Sequence, residues 1–176
     1  MDMATIVRPG LDELVRGVGA LTARRLDRRE TAFAVADLLR AQFPSLDLLT
    51  PEEREGSPDR YVSQVLHAQD DFSIVAVVWR PGQGTVIHDH VSWCAFGVLS
   101  GIEHETLYRD HGDHLTEIGR ADNRPGEVSG FAPPGDIHAV LNTSDEVGVS
   151  VHVYGADVRR LGSSVRRVYD LPVRQR

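Results

Sequence analysis

The sequence predicts a mainly β fold: a sandwich or closed barrel over residues 58–176, preceded by a helical part over residues 1–57. Three observations predict it. Apolar residues recur at helical spacing in the first 57 positions. From Tyr61 onward, short runs rich in β-branched and aromatic residues take over. Gly, Pro, Asn and Asp punctuate these runs at short intervals, which argues for a sandwich or closed barrel. A length of 176 residues fits one domain holding both parts.

The elements follow in order. Leu11, Leu14, Val15, Val18 and Leu21 mark a first helix, and Ala32, Val35, Ala36, Leu39 and Phe43 a second. Arg25 to Arg29 joins them, and Pro44 stops the second because proline cannot continue a helix. Residues 47–60 read as a loop with a short helix opening at Pro51. Phe72 to Trp79 (FSIVAVVW) is a strand, and Pro81 to Gly84 a turn. Strand-like stretches follow at 85–90, 94–99, 102–109, 114–119, 127–131, 137–142, 147–154 and 165–169. The chain shows no internal repeat and no low-complexity segment.

Composition bounds the function. Hydrophobic residues make up 41% and charged residues 26%, an ordinary globular mixture with enough apolar mass for a core. Nineteen Lys+Arg against 26 Asp+Glu gives a net charge of −7, which offers no footprint for nucleic acid or an anionic membrane. No apolar run approaches the roughly 20 residues of a membrane span. Asp2, Arg8, Asp12, Glu13 and Arg16 interrupt any signal-like pattern, so a cytoplasmic location is expected. The single cysteine, Cys94, excludes an intrachain disulfide and a multi-cysteine zinc site.

Eight histidines are the outlier. His88 and His90 are two apart, so on a strand their rings project to one face. His138 opens a later strand after Pro133-Pro134-Gly135 and can supply a third imidazole. Three neutral nitrogen ligands suit Fe, Cu, Zn or Ni, at roughly 2.0–2.2 Å by analogy with other imidazole–metal bonds. His67, His104, His111 and His114 read as surface histidines. Ser150, His152 and Tyr154 alternate with Val149, Val151 and Val153, so the three polar groups share one face. If the valines pack between layers, that face is the barrel interior. A buried Ser–His–Tyr chain must then satisfy itself by hydrogen bonding, because each unmet group costs ~1–3 kcal/mol.

The spacing Gly82-X5-His88-X-His90-X3-Cys94-X6-Gly101 resembles the first motif of the cupin family, with Cys94 in place of the usual Glu. Pro133-X-Gly135-X2-His138-X3-Asn142 resembles the second cupin motif, its leading glycine displaced to Gly126. A three-His site without Glu, beside Ser150, His152 and Tyr154, looks like the thiol dioxygenases: cysteine dioxygenase and its bacterial relatives, including 3-mercaptopropionate dioxygenase. The resemblance runs from about Tyr61 to Tyr154. It implies a cupin barrel (a small double-sheet β-barrel of jelly-roll type), Fe(II) on His88, His90 and His138, and oxidation of a small thiol to its sulfinic acid by O2. Tyr154 would then face bound substrate or oxygen, His152 would orient Tyr154, and Ser150 would fix the His152 tautomer. Asp89 points away from the ligands and reads as structural.

The resemblance leaves some residues open. Cys94 is either the partner of a thioether crosslink to Tyr154, as in animal cysteine dioxygenases, or a small buried hydrophobe. One residue fewer separates it from His90 than in the animal pattern. Ser63 stands where cysteine dioxygenases carry the Arg that holds the substrate carboxylate and the mercaptopropionate enzymes carry Gln. Arg166 or Arg167 is the candidate for that carboxylate, since guanidinium binds it through two oxygens; the alternative is a solvated basic C-terminus. Another metal-dependent cupin oxygenase or isomerase, or a non-catalytic ligand-binding cupin, are the competing readings. The oligomeric state is not legible in the sequence.

Overall fold

The structure, a computed structural model, describes residues 6–174. Two helices, α1 (Leu11–Thr22) and α2 (Arg28–Ala41), precede the sheets, with the one-turn α3 (Pro51–Arg54) after them. Asp27 caps α2 in a reciprocal capping box with Glu30, and Thr50 and Glu53 do the same for α3, where Pro51 takes the first turn. The strands are β1 (Val62–Gln69), β2 (Phe72–Trp79), β3 (His88–His90), β4 (Cys94–Ser100), β5 (Glu103–Asp110), β6 (Leu115–Asn123), β7 (Val128–Phe131), β8 (His138–Asn142), β9 (Gly148–Tyr154), β10 (Val165–Val168) and β11 (Val173–Arg174). A short helix, α4 (Val158–Leu161), separates β9 from β10. Among the described residues no helix is long and apolar enough to cross a membrane.

The strands form a five-stranded sheet, β1-β2-β9-β4-β7, and a six-stranded sheet, β10-β3-β8-β5-β6-β11. Side chains alternate across the first sheet. Val75, Val77 and Trp79 of β2 pack inward with Cys94, Val140 and Tyr154. Ile74 of β2 and Val151 and Val153 of β9 pack outward on Leu14 and Val18 of α1 and Val35 and Leu39 of α2. Both faces of β2 are therefore buried, which is why its sequence is almost continuously apolar rather than alternating. The helices cover the outer face of the sheet that carries β9, and this turns Ser150, His152 and Tyr154 toward the interior. Close approach of α2 requires Gly130 on β7, where a Cβ would lie 2.8 Å from the Ala32 carbonyl oxygen.

The mainly β architecture with N-terminal helices is as expected, and most strands fall within a residue or two of their expected bounds. The stretch 85–90 is the main exception. Only His88–His90 pairs as a strand, after Gly84 has bridged to Leu141 and the Thr85 amide has bonded the Val140 carbonyl. α4 was not expected. Asp157 caps it by accepting from the Arg159 and Arg160 amides, and Gly162 ends it in the left-handed conformation.

Candidate metal centre

β3 is three residues long and antiparallel to β8, with His88 opposite His138. Strand alternation sends His88 and His90 into the barrel and Asp89 to the other face. The three imidazole centroids lie 4.8–5.0 Å apart, all three rings are buried, and their candidate ligand atoms fall within 4.8 Å of one another.

Each ring is held from behind. Nδ1 of His88 lies 2.9 Å from the Val86 carbonyl, that of His90 3.1 Å from Asp136 Oδ2, and that of His138 2.5 Å from Glu105 Oε1. A ring whose Nδ1–H is donated outward has its Nε2 lone pair free, so three Nε2 atoms converge. Burial, then the neighbouring His138, lowers the His88 pKa from 6.5 to about 4, and burial lowers His90 as well. Buried, mutually converging imidazoles are the chemistry of a metal site, and the residues present fit one.

Burial pushes Asp136 up, but the His90 ring and backbone amide bonds together outweigh it and leave its pKa low, an ionised partner for the ring. Asp136 and Glu105 were missed in the sequence. Asp136 sits two residues before His138, and Glu105 lies in a strand whose alternating polar residues look solvent-facing.

Beside this centre, His152 joins Ser150 and Tyr154. Its Nε2 is 2.8 Å from Ser150 Oγ and its Nδ1 3.3 Å from the Tyr154 hydroxyl. Trp79 Nε1–H donates to Ser150 Oγ at 3.3 Å. Cys94 is directly opposite Tyr154 on neighbouring strands, and its Sγ is 3.9 Å from His152 Nδ1. Directly paired residues share a face, so the short His90–Cys94 spacing does not turn the thiol away. Burial pushes both the Cys94 thiol and the Tyr154 phenol well above their usual values.

The centre opens on a cavity of about 220 Å³, lined among others by His88, His90, His138, His152 and Tyr154. Pockets for drug-sized ligands measure roughly 300–1,000 Å³, so this cavity suits a smaller molecule. Ser63, which is exposed, lines it where it opens to solvent.

The arginine expectation is corrected. Neither Arg166 nor Arg167 lines the cavity. Arg166 pairs with the buried Asp89, which also accepts from the Tyr169 hydroxyl at 2.9 Å. Arg167 reaches Asp110 and lies over the Tyr169 ring. The reason lies in α4 and the Ser163–Ser164 segment, which occupy the cavity wall before the chain joins β3 through β10. Asp89 faces opposite to the histidines, so an Arg that meets it is outside the barrel. His104, His111 and His114 pair with Asp122, Thr116 and Asp113 at the surface, as expected.

A family model for cysteine dioxygenase type I matches residues 57–161. The chain belongs to that family. The match begins just before β1 and ends at α4, so it contains all three histidines and the Ser150–His152–Tyr154 set. Among solved structures, the chain is similar to an uncharacterized conserved protein with a double-stranded β-helix domain from Klebsiella pneumoniae. The identity is 21%, the TM-score 0.49, and 62% of this chain and 84% of that one are covered. It is also similar to a cupin superfamily protein from Desulfitobacterium hafniense, at 16% identity and a TM-score of 0.46 over 62% and 85%. A third similarity is to an oxalate oxidase in complex with glycolate, at 18% identity and a TM-score of 0.45 over 57% of this chain and 53% of that one. The match thus spans about half of the oxalate oxidase. Family membership and the buried three-histidine cluster together support a metal site inside this barrel.

His152 also carries a stability prediction. Burial lowers its pKa from 6.5 to about 3. Between these values the unfolded chain binds a proton that the folded chain refuses. The stability contribution of the neutral ring is therefore complete above pH 6.5 and is lost as pH falls toward 3, by up to ~1.4 kcal/mol per unit. Urea unfolding of metal-stripped wild type and His152→Gln between pH 7.5 and 5 should show a shallower acid loss in the variant. Equal slopes would refute a neutral buried His152.

Proposed function

We propose that the protein is a non-haem iron dioxygenase that oxidises a small thiol to its sulfinic acid. The observation that carries this reading is the placement of three imidazoles, without a carboxylate ligand, on one small cavity that His152 and Tyr154 also line, with Ser150 hydrogen-bonded behind His152. The overall change is R–SH + O2 → R–SO2H. Both oxygen atoms enter the product, and the sulfur gives up the four electrons that O2 takes, so no nicotinamide or flavin is required.

His88, His90 and His138 would hold Fe(II) through Nε2, which would supply the charge that keeps a thiol deprotonated and the redox chemistry toward O2. The protein's own groups do the rest. Trp79 fills one acceptor position of Ser150 Oγ, and the Ser150 proton is donated to His152 Nε2. Nδ1 of His152 then bears the ring proton and donates it to the Tyr154 oxygen. The phenolic proton is left free to be donated into the cavity, where negative charge gathers on sulfur and oxygen. Burial of Tyr154 keeps it a phenol, hence a donor. Phe96 stacks on His152 with centroids 5.3 Å apart and fixes the ring plane.

Oxygen uptake by iron-loaded protein with cysteine, cysteamine, 3-mercaptopropionate and mercaptosuccinate tests this reading. Stoichiometric sulfinate from at least one is expected, and no uptake with any of them overturns it. The register of Cys94 and Tyr154 supports a thioether between them. After turnover, intact mass should fall by two hydrogen atoms, and Cys94→Ser should abolish the deficit. An unchanged mass in turned-over wild type makes Cys94 a small core residue only.

A further inference from the structure

We propose that the thiol taken by this site carries an amine rather than a carboxylate, and that Glu103 is the residue that selects it. The proposal rests on the thiol dioxygenase reading above and names its substrate class. Glu103 is on β5, two residues from Glu105, and its side chain lines the same cavity as the three histidines. It is 1% exposed, and its Oε1 has no hydrogen-bond partner. Neither the histidine cluster nor the Ser150–His152–Tyr154 chain consumes that oxygen. Glu105, by contrast, is spent on His138. Buried carboxyl oxygens are rarely left unmatched, so an unmatched one on a cavity wall marks the place of a ligand's donor.

The remainder of the cavity agrees. Among the described residues no Lys or Arg lines it, and the two arginines that could have entered are held outside by Asp89 and Asp110. A carboxylate tail would meet Glu103 with no cation to offset the repulsion. An ammonium tail would find an acceptor in Glu103 and aromatic faces in Tyr61 and Trp79, whose rings lie 4.6 Å apart. Burial raises the Glu103 pKa from 4.5 to about 7. Near neutral pH the group can therefore lose its proton when a cation arrives. The cavity size suits an aminothiol of a few heavy atoms.

Anaerobic titration calorimetry of iron-loaded protein, followed by oxygen uptake, tests this with cysteamine, the neutral 2-mercaptoethanol and 3-mercaptopropionate. Cysteamine should bind at least about tenfold more tightly than 3-mercaptopropionate. E103Q should bring the two within about threefold, with 2-mercaptoethanol binding unchanged as the measure of an intact cavity. E103L, an apolar side chain of similar size, should do the same. Equal or tighter binding of 3-mercaptopropionate by wild type overturns the proposal, as does a cysteamine preference that survives both variants. Preferential binding of cysteamine without oxygen uptake supports amine selection and defeats the dioxygenase reading. Oxidation of 3-mercaptopropionate in preference does the reverse. Binding of none of the three defeats both.

Discussion

His90→Ala protein, expressed with iron and dialysed, should retain almost none of the metal that wild type retains, and its thiol-dependent oxygen uptake should fall by more than about 10³-fold. Among the described residues the cluster has three candidate ligands and no fourth. Cys94, in the place of the usual cupin Glu, is turned to His152 and Tyr154. Losing one imidazole leaves two, and it strands Asp136, whose buried carboxylate is held by the His90 ring and amide. Asp136→Asn separates ligation from support. It keeps all three rings but weakens the hold on one, for which a loss of about 10–100-fold in metal affinity is typical. Metal analysis beside circular dichroism distinguishes both from unfolding. Normal iron content in folded His90→Ala would show that the three histidines are not the ligands.

Much of the fold was legible because each face of each β9 residue has one use. Val151 and Val153 are apolar for the sake of the helices and Val149 for Leu49 and Val78, while His152 and Tyr154 are polar for the sake of the cavity and Ser150 for His152. A period-2 pattern of this kind specifies both strand and facing. α4 escaped because a one-turn helix has no periodicity to read, only its Asp157 cap and its Gly162 stop. Residues 85–87 looked like strand by composition, but only the Gly84 bridge to Leu141 and the hydrogen bonds between Thr85 and Val140 tie this turn to β8.

The site was legible where chemistry demands a spacing and obscure where it demands only a neighbour. His88, His90 and His138 stand at fixed separations because two strands must aim three rings at one point. Asp136 and Glu105 are partners across space, and nothing in their local sequence separates them from surface carboxylates. Glu103 is the extreme case. In Glu103-His104-Glu105 the outer His104 meets Asp122 at the surface while both carboxylates turn inward, opposite to what a solvated strand would do. The arginines failed for a related reason. Their distance from Tyr154 counts α4, and only the pairing of β10 with β3 shows that Arg166 ends beside Asp89.

Tyr154→Phe should keep wild-type iron content and lose about 10²-fold or more in turnover, within the range removed with a positioned proton donor. The phenol is not among the metal-cluster residues, so its loss leaves the three imidazoles and their supports in place. What disappears is the one hydroxyl that His152 holds over the cavity. His152→Gln should cause a loss of similar size through a different route: Tyr154 remains, but neither its orientation nor the polarity of its proton is set. Because both changes act through the same phenolic proton, the double variant should be no slower than the slower single variant. A multiplicative loss would show that His152 contributes apart from Tyr154, and the Ser150–His152–Tyr154 chain would not be the unit that its hydrogen bonds describe. Full activity in Tyr154→Phe would remove the phenol from the chemistry altogether and reduce it to packing opposite Cys94.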